Sequence, residues 1–407
     1  MSGLPFPFPF PFPQQTAQPF TGLYPPQAPD PSQASHGPSY GHSYWREGPP
    51  PMNFLQCKTY LAAGLQNGGL RQVDALAHIL GIGPRSTWFT NDIESFLYYN
   101  DSKHAQILSI DAEWYESNHR KITELGIGSL SVYTVRAART KNFIDCLDSM
   151  KVHHMRILEN AHMVNGRRCA GHPEDFQFGR TGFVPQSQAK SVLHKHLMKY
   201  NYASMQPLYL QPIVIVGHAI GNDVDEFKKY LGVDLGQYPV LITLDTQVMA
   251  RELGIKGSKG PNISLQDLLL HYGIEKDTYL HNAGNDAGLT MIAACLLAND
   301  RYTNKLDTSQ SQKDFEQLKL QIRGNSYRVY GCQRHCTRCN CATHMISDCK
   351  KKLFCPRCAE LQPENADTHS MNKCLIVSTP CERCSASPKP KLHQHADTHL
   401  TEDCLFN

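Results

Sequence analysis

Between residues 104 and 300 the sequence alternates strand-like and helix-like segments, and this alternation restricts the fold more than any other feature. The strand-like stretches are short and densely apolar, whereas the helix-like ones repeat apolar residues every three or four positions. Such alternation predicts an α/β fold, a mixed sheet flanked by helices. We predict strands at 106–114, 122–135, 212–218 and 240–245, an irregular stretch at about 151–185, and helices at 187–199, after 218, at 264–271 and at 286–298.

Composition divides the rest of the chain into four regions. Residues 1–52 hold 14 of the 26 prolines and few charges, a composition that predicts a disordered tail because it cannot offset the entropy of ordering. The Phe-Pro run in this tail is alternatively an extended ligand for a protein partner. Apolar spacing predicts a helical lead-in at 53–103, and polar residues predict a linker at 301–330. Residues 331–407 have too few large apolar side chains for an ordinary core and need cross-links.

Several classes of protein are disfavoured. The sequence has no apolar run long enough to span a membrane, and its start lacks the basic and apolar regions of a secretory signal. We therefore expect an intracellular protein, in the cytoplasm or nucleus, with no membrane partner. The formal net charge of +3 does not by itself indicate nucleic-acid binding.

Three segments supply a candidate reaction centre, consisting of Asp111, Glu113, Asp223, His281 and Asp286. Asp111 and Glu113 are two apart on a predicted strand, so their side chains project from one face. Two such carboxylates repel unless a cation lies between them, and Mg²⁺ prefers oxygen ligands. Taken singly, each residue is better explained by a structural role: the two other aspartates as helix caps, the strand pair as a solvated edge and the histidine as a loop residue. Their joint order favours a shared metal site.

The three segments resemble the motifs of the DEDDh 3′–5′ exonucleases, which have a ribonuclease H-like fold. The resemblance rests on Asp-Ala-Glu at 111–113, His-Ala-Ile-Gly-Asn-Asp at 218–223, and His281 followed five positions later by Asp286. It covers about residues 104–300, and the sequence is most similar to fungal exonuclease-like domain proteins. Leu-Asp-Thr at 244–246 and the strand that begins at Ile122 are also similar to family features.

The resemblance implies a mechanism and its cofactors. Asp111 would bridge two Mg²⁺ or Mn²⁺ ions, Glu113 and Asp286 would bind the ion on the side of the attacking water, and Asp223 would serve the other ion through water. His281 would act as the general base. The product would be a nucleoside 5′-monophosphate. Two positions depart from the family pattern: Ala219 stands where an asparagine is usual, and Trp114 where threonine or serine is commoner.

A Cys-x-x-Cys, His, Cys pattern occurs three times after residue 331 and predicts three zinc sites. The first matches the spacing of a CCHC zinc knuckle, and the other two have longer middle gaps. Free or redox-active cysteines are the alternative interpretation. The predicted ligands are Cys336, Cys339, His344 and Cys349; Cys355, Cys358, His369 and Cys374; and Cys381, Cys384, His399 and Cys404. No role follows from the sequence for Cys332, His335, Cys341 and His395.

The zinc region also carries candidate nucleic-acid contacts, since zinc knuckles often bind single strands through basic and aromatic side chains. We predict a metal-dependent 3′–5′ exonuclease on RNA or single-stranded DNA, assisted by this region. The alternatives are an inactive exonuclease fold that binds nucleic acid or ribonucleoprotein, and a zinc scaffold for protein partners. The predicted contacts are Arg338, Arg357, Arg383, Lys350, Lys351 and Lys352.

Overall fold

The structure is a computed structural model. It describes residues 52–84, 86–98, 105–116, 118–137, 147–166, 169–198, 211–258, 260–275, 279–302, 308–369, 374, 380–393, 396, 401 and 404. The predicted disordered tail, apart from Met52, lies outside these residues, as do His395 and His399.

A six-stranded mixed sheet forms the centre of the described chain, in the order β4-β3-β2-β1-β5-β6. Strands β1, β2 and β3 pair antiparallel, while β5 lies parallel to β1 and β6 parallel to β5. This arrangement is the mixed sheet of the predicted ribonuclease H-like fold, and β4 extends it at one edge. The strands are β1 Gln106–Trp114, β2 Ile122–Ser131, β3 Lys151–Ile157, β4 Thr181–Val184, β5 Ile213–Gly217 and β6 Val240–Asp245.

Helices cover both faces of the sheet. In chain order the helices of the described residues are α1 Phe54–Gln66, α2 Gln72–Leu80, α3 Asn91–Tyr98, α4 Val132–Ala137, α5 Gln186–Leu197, α6 Gly221–Glu226, α7 Thr246–Glu252, α8 Leu265–His271, α9 Ala283–Asp300 and α10 Thr308–Asn325, followed in the cysteine-rich region by α11 Pro356–Leu361, α12 Glu382–Ser385 and α13 Pro390–His393. None of the described helices is long and apolar enough to cross a membrane.

Helix α9 packs across β1, β2 and β3, and every residue from its start at Ala283 to Asn299 is buried. Along β1, Ile107 belongs to the hydrophobic cluster on the α9 side, whereas Leu108 and Ile110 belong to the cluster on the α5 side. This alternation follows from the period of two in a strand. Asp111 and Glu113 therefore point to the α9 side, as their spacing predicted.

Two predictions on the strands were wrong. Residues 151–185, expected to be irregular, contain β3 and β4. The polar side chains of β3 obscure the alternation of apolar and polar residues that would identify a strand in the sequence. In the fold these side chains are hydrogen-bonded, as His154 is to Glu124. Strand β2 ends at Ser131 rather than at 135, because its partner β1 begins opposite it at Gln106.

The segment predicted as a linker holds helix α10. Its Phe315, Leu318 and Ile322 are buried in the cluster on the α9 side. The helical lead-in packs on the same cluster, and α2 ends at Gly81 in the left-handed conformation, with a φ of 73°.

Candidate metal and active site

Three segments that are distant in sequence meet at the carboxyl end of β1. Glu113, His281 and Asp286 each offer a ligand atom, and these atoms lie within 4.8 Å of one another. Asp111 and Asp223 fall outside this compact trio but are near enough for their charges to act on it. All five predicted site residues are therefore in one region of the molecule.

The close approach of α9 to β2 builds this meeting point. Gly126 lies opposite Asp111, and a Cβ atom there would come within 1.8 Å of the Ala283 carbonyl oxygen. One strand over, the Ser109 hydroxyl donates to the Ala287 carbonyl at 2.7 Å. The absence of a side chain at 126 thus allows the first turn of α9, with Asp286, to sit against the strand that carries the acids.

Glu124 is a further buried carboxylate at the site, and the sequence reasoning did not assign it a role. It lies directly opposite Glu113 in the β1–β2 ladder. Its Oε2 accepts the Ala283 backbone N–H at 3.2 Å and contacts His154 Nε2 at 2.9 Å. Glu124 therefore ties β2 and β3 to the beginning of α9. The signal in the sequence is a lone acid in an otherwise uncharged strand.

Asp245 holds the loop that leads to Asp223. Its carboxylate accepts the N–H groups of Ala219 at 3.2 Å and Ile220 at 3.1 Å, while it also caps α7 through Gln247. The loop begins at His218, whose Nδ1 lies 2.7 Å from the Thr246 hydroxyl. The Leu-Asp-Thr segment singled out in the sequence is therefore a positioning element for the second acidic motif.

The charges of the site are unbalanced. Burial is the largest cause, and repulsion from neighbouring carboxylates the next, of pKa values well above the usual range at Asp111, Glu113 and Asp286. The same causes raise the pKa of Asp223 to about 7. Within the described part of the chain, no lysine or arginine forms an ion pair with these four acids. When ionised, these acids can be balanced by cations from solution.

The donor set fits hard divalent cations. Asp286 Oδ2 accepts the His281 N–H at 2.9 Å, whereas its Oδ1 is buried and has no hydrogen-bond partner among the described residues. A buried carboxylate oxygen without a partner is costly, and a bound cation removes the cost. Oxygen ligands of this kind suit Mg²⁺ or Mn²⁺.

His281 has an unusual backbone conformation and a lowered pKa. It has a φ of 63° in the turn before α9, and its carbonyl accepts the N–H of His172 at 3.0 Å. Partial burial of the ring lowers the pKa of His281, and the charge of the nearby His172 lowers that pKa further. The imidazole is therefore neutral at pH 7 and can accept a proton.

The zinc region contains three cysteine clusters. Cys336, Cys339, His344 and Cys349 form one four-ligand group, and Cys355, Cys358, His369 and Cys374 form the second. The third brings together Cys381, Cys384 and Cys404, while His399 lies outside the described residues. None of the described cysteines forms a disulfide. The first two groups offer the thiolate and imidazole ligands that zinc takes in tetrahedral sites, and the third offers three thiolates.

The predicted nucleic-acid contacts in this region differ in setting. Lys350, Lys351 and Lys352 are exposed, next to Phe354. Arg338, in contrast, is half-buried and donates from Nη1 to the Cys349 carbonyl at 3.4 Å. Arg357 is half-buried and Arg383 exposed. The lysine run is thus the most accessible basic group of the predicted set.

These features define a ribonuclease H-like fold with a cluster of acids fit for divalent metal. Residues 106–297 match the family described as DEDDh, DNA polymerase III subunit epsilon-like, C-terminal domain. An uncharacterized nucleolar protein of Schizosaccharomyces pombe is 32% identical over 194 residues, which are 47% of this chain and 68% of that protein. An uncharacterized protein of Saccharomyces cerevisiae is 24% identical over 233 residues, 53% of this chain and 44% of that protein. The chain belongs to the DEDDh exonuclease-like family.

The departure at Ala219 has a structural consequence that can be measured. Ala219 has a φ of 56°, in the left-handed region, where a non-glycine residue is strained by about 1–2 kcal/mol and asparagine is the better tolerated side chain. We expect Ala219→Asn to raise the free energy of unfolding by about 0.5–1 kcal/mol in urea titrations. Ala219→Val, β-branched at the same φ, should lower it. Equal stability of the asparagine and valine variants would contradict this account.

Proposed function

We propose that this chain is a divalent-metal-dependent 3′–5′ exonuclease that acts on RNA or single-stranded DNA and releases nucleoside 5′-monophosphates. The observation that carries the proposal is the set of acids, half-buried at Asp111, Glu113 and Asp223 and buried at Asp286, beside a neutral imidazole, with Asp286 Oδ1 left without a partner. Asp111, Glu113, Asp223 and Asp286 would hold two Mg²⁺ or Mn²⁺ ions. Such ions stabilise charge on the entering and leaving oxygens of a phosphodiester.

The protein's own groups would perform the remaining tasks. His281 would accept the proton of the attacking water, because its lowered pKa keeps the ring unprotonated at neutral pH. Asp286 would orient His281 through the hydrogen bond from the His281 backbone N–H. Glu124 would keep the first turn of α9 in register with β1 and β2. Three zinc ions would fold the C-terminal region, whose exposed lysines would help bind the strand.

A non-catalytic role as a nucleic-acid or ribonucleoprotein adaptor is the second candidate. It is favoured by Ala219 and Trp114, the two departures beside the acidic motifs. The S. pombe relative is described as a nucleolar protein, and this supports a nuclear location for the present chain. A protein partner that binds the Phe-Pro tail is compatible with both candidate functions.

The two candidates are separated by a hydrolysis assay. A 3′-labelled single strand is incubated with the full chain and Mg²⁺ or Mn²⁺, and the released mononucleotides are measured. We expect His281→Ala to lower the rate by about 10²–10⁴-fold. In the unaltered chain the rate should rise with pH as a group with a pKa below 6.5 loses its proton, and this rise should be absent from the variant. His271→Ala is the control, since His271 lies at the end of α8. Binding without release of nucleotides by the unaltered chain would favour the adaptor.

A further inference from the structure

The stretch that runs from the second half of α10 into the first zinc cluster is strongly basic. From residue 317 to residue 347 the sequence has no acidic residue and five basic ones, Lys319, Arg323, Arg328, Arg334 and Arg338. Tyr327 and Tyr330 lie among them. Basic and aromatic side chains interleaved in this way are typical of surfaces that bind single-stranded nucleic acid.

This segment is fixed to the outer edge of the sheet. The N–H groups of Phe183, on β4, and Cys332 each donate to the other residue's carbonyl, at 2.8 and 3.0 Å. The packing leaves no room for side chains, because a Cβ at Gly182 would meet the Tyr330 carbonyl oxygen at 2.0 Å and one at Gly331 the Phe183 oxygen at 2.0 Å. His335 packs its ring on Phe183, with centroids 5.4 Å apart. Cys332 and His335, which had no role in the sequence, thus attach the zinc region to the sheet.

The attachment point lies in the same row of the sheet as the metal site. Glu113 is opposite Glu124, Glu124 is opposite Arg156, and Arg156 is opposite Phe183. Residues opposite one another in neighbouring strands project to the same face. With four interstrand steps of about 4.8 Å each, Cys332 lies roughly 19 Å from Glu113 along this row. The basic segment therefore reaches, at Cys332, the end of the sheet that carries the acids.

Four exposed side chains flank β4 and form what we call the edge patch: Arg180, Tyr327, Arg328 and Arg334. Tyr327 is 82% exposed, a high fraction for a large aromatic residue. Arg328 stacks its guanidinium over the Tyr330 ring at 5.1 Å. None of the three arginines forms an ion pair with an acid of the described chain. The neighbouring acids Glu174 and Asp175 are instead paired with Arg156 and His172.

We infer that the edge patch binds the part of a single-stranded nucleic acid that lies 5′ of the end held in the metal site. This inference rests on the proposed function. A strand that leaves the acids along the row reaches Arg334 first and then passes Arg180, Tyr327 and Arg328 as it follows β4. Arginines without acidic partners attract phosphates, and an exposed tyrosine offers a face on which a base can stack. A stacked strand advances about 3.4 Å per nucleotide, so the 19 Å span corresponds to about six nucleotides.

The test measures binding without turnover. Full-length, zinc-loaded protein with Asp111→Asn is titrated against a fluorescein-labelled single strand of about 12 nucleotides, twice the estimated span, at several salt concentrations. In this background, replacing Arg180, Arg328 and Arg334 together by alanine should weaken binding at least about tenfold. It should also reduce the slope of log K against log salt by about 2, since each lost phosphate contact contributes about 0.7. Tyr327→Ala should weaken binding about tenfold, and Tyr327→Phe should restore it.

The matched control replaces Arg251 and Lys256 by alanine. Both are exposed, on and just after α7, which follows the strand at the opposite edge of the sheet. Binding by the triple arginine variant with the affinity and salt slope of this control would overturn the proposal. If the unaltered chain hydrolyses nothing but the edge-patch variants still lose binding, the exonuclease proposal fails and the edge patch stands.

Chain length gives a second readout with hydrolysis. In the protein that retains Asp111, edge-patch variants should raise KM for the 12-nucleotide strand and leave kcat unchanged. Their rate on a dinucleotide should equal that of the unaltered chain, because a dinucleotide cannot reach from the metal site to β4. An equal loss on both substrates would contradict a role 5′ of the cleaved end.

Discussion

Replacing Asp111 by asparagine should abolish metal-dependent hydrolysis and, at the same time, stabilise the metal-free protein. The loss of hydrolysis should be at least about a thousandfold, because bound metal ions supply several kcal/mol of transition-state stabilisation and each 1.36 kcal/mol is a factor of ten. The gain in stability follows from the electrostatics. Burial and the charges of Asp223, Glu113 and Glu124 disfavour the ionised form of Asp111.

The sign of the pH dependence follows from the direction of the pKa shifts. The folded pKa values of these acids lie above the unfolded values of 3.8 for aspartate and 4.5 for glutamate. At these groups the folded chain then binds more protons than the unfolded chain, so the stability that they contribute is fully present below about pH 4 and is lost as pH rises through the folded values. For Asp223 that value is about 7. Each titrating group costs about 1.4 kcal/mol per pH unit in this window.

Thermal unfolding measures both effects. At pH 8 without metal, we expect Asp111→Asn to unfold about 5 °C higher than the unaltered chain, and Mg²⁺ should raise the melting temperature of the unaltered chain only. Asp225→Asn is the matched control, since Asp225 is an exposed aspartate two positions from Asp223 on α6. If the metal-free chain and Asp111→Asn changed equally in stability between pH 4 and pH 8, the assignment of these acids as an unbalanced cluster would be contradicted.

Removal of zinc should unfold the C-terminal region. Its two small buried clusters consist almost entirely of cysteines with one alanine each, Ala366 and Ala396. Such groups cannot offset the entropy of ordering, so the folding energy must come from the metal, at about 10–16 kcal/mol per structural zinc in comparable peptides. We expect strong chelators to release about three zinc ions per chain and to make this region susceptible to protease.

Single cysteine substitutions test the pairing of ligands. Cys339→Ser should remove one tetrahedral site, measured as the loss of one ion in native mass spectrometry and of one third of the thiolate absorption with Co²⁺. Cys341→Ser is the matched control, because the Cys341 thiol lies outside the four-ligand groups and contacts the Thr343 hydroxyl at 3.0 Å. His399→Ala should weaken the third site. Loss of an ion from the Cys341 variant alone would mean that the first group is paired differently.

Local patterns in the sequence determined the mixed α/β class, the acidic motifs on β1 and before α6 and α9, and the zinc repeats. These features depend on residues close together in the chain: the period of two puts Asp111 and Glu113 on one face, and Cys-x-x-Cys turns bring thiolates together. The ranges of β1, β5 and β6 follow from apolar runs of the same kind.

Only the tertiary structure decided the rest. Strand β3 exists because its polar residues find partners far away in sequence, as His154 finds Glu124, and β2 stops where its neighbour β1 begins. The role of Glu124 and the attachment of Cys332 and His335 to Phe183 also arise from contacts between segments that are far apart in sequence. All of these features are contacts between segments whose own sequences give no signal of the contact. Strand pairing and burial depend on which residues the folded chain brings opposite one another.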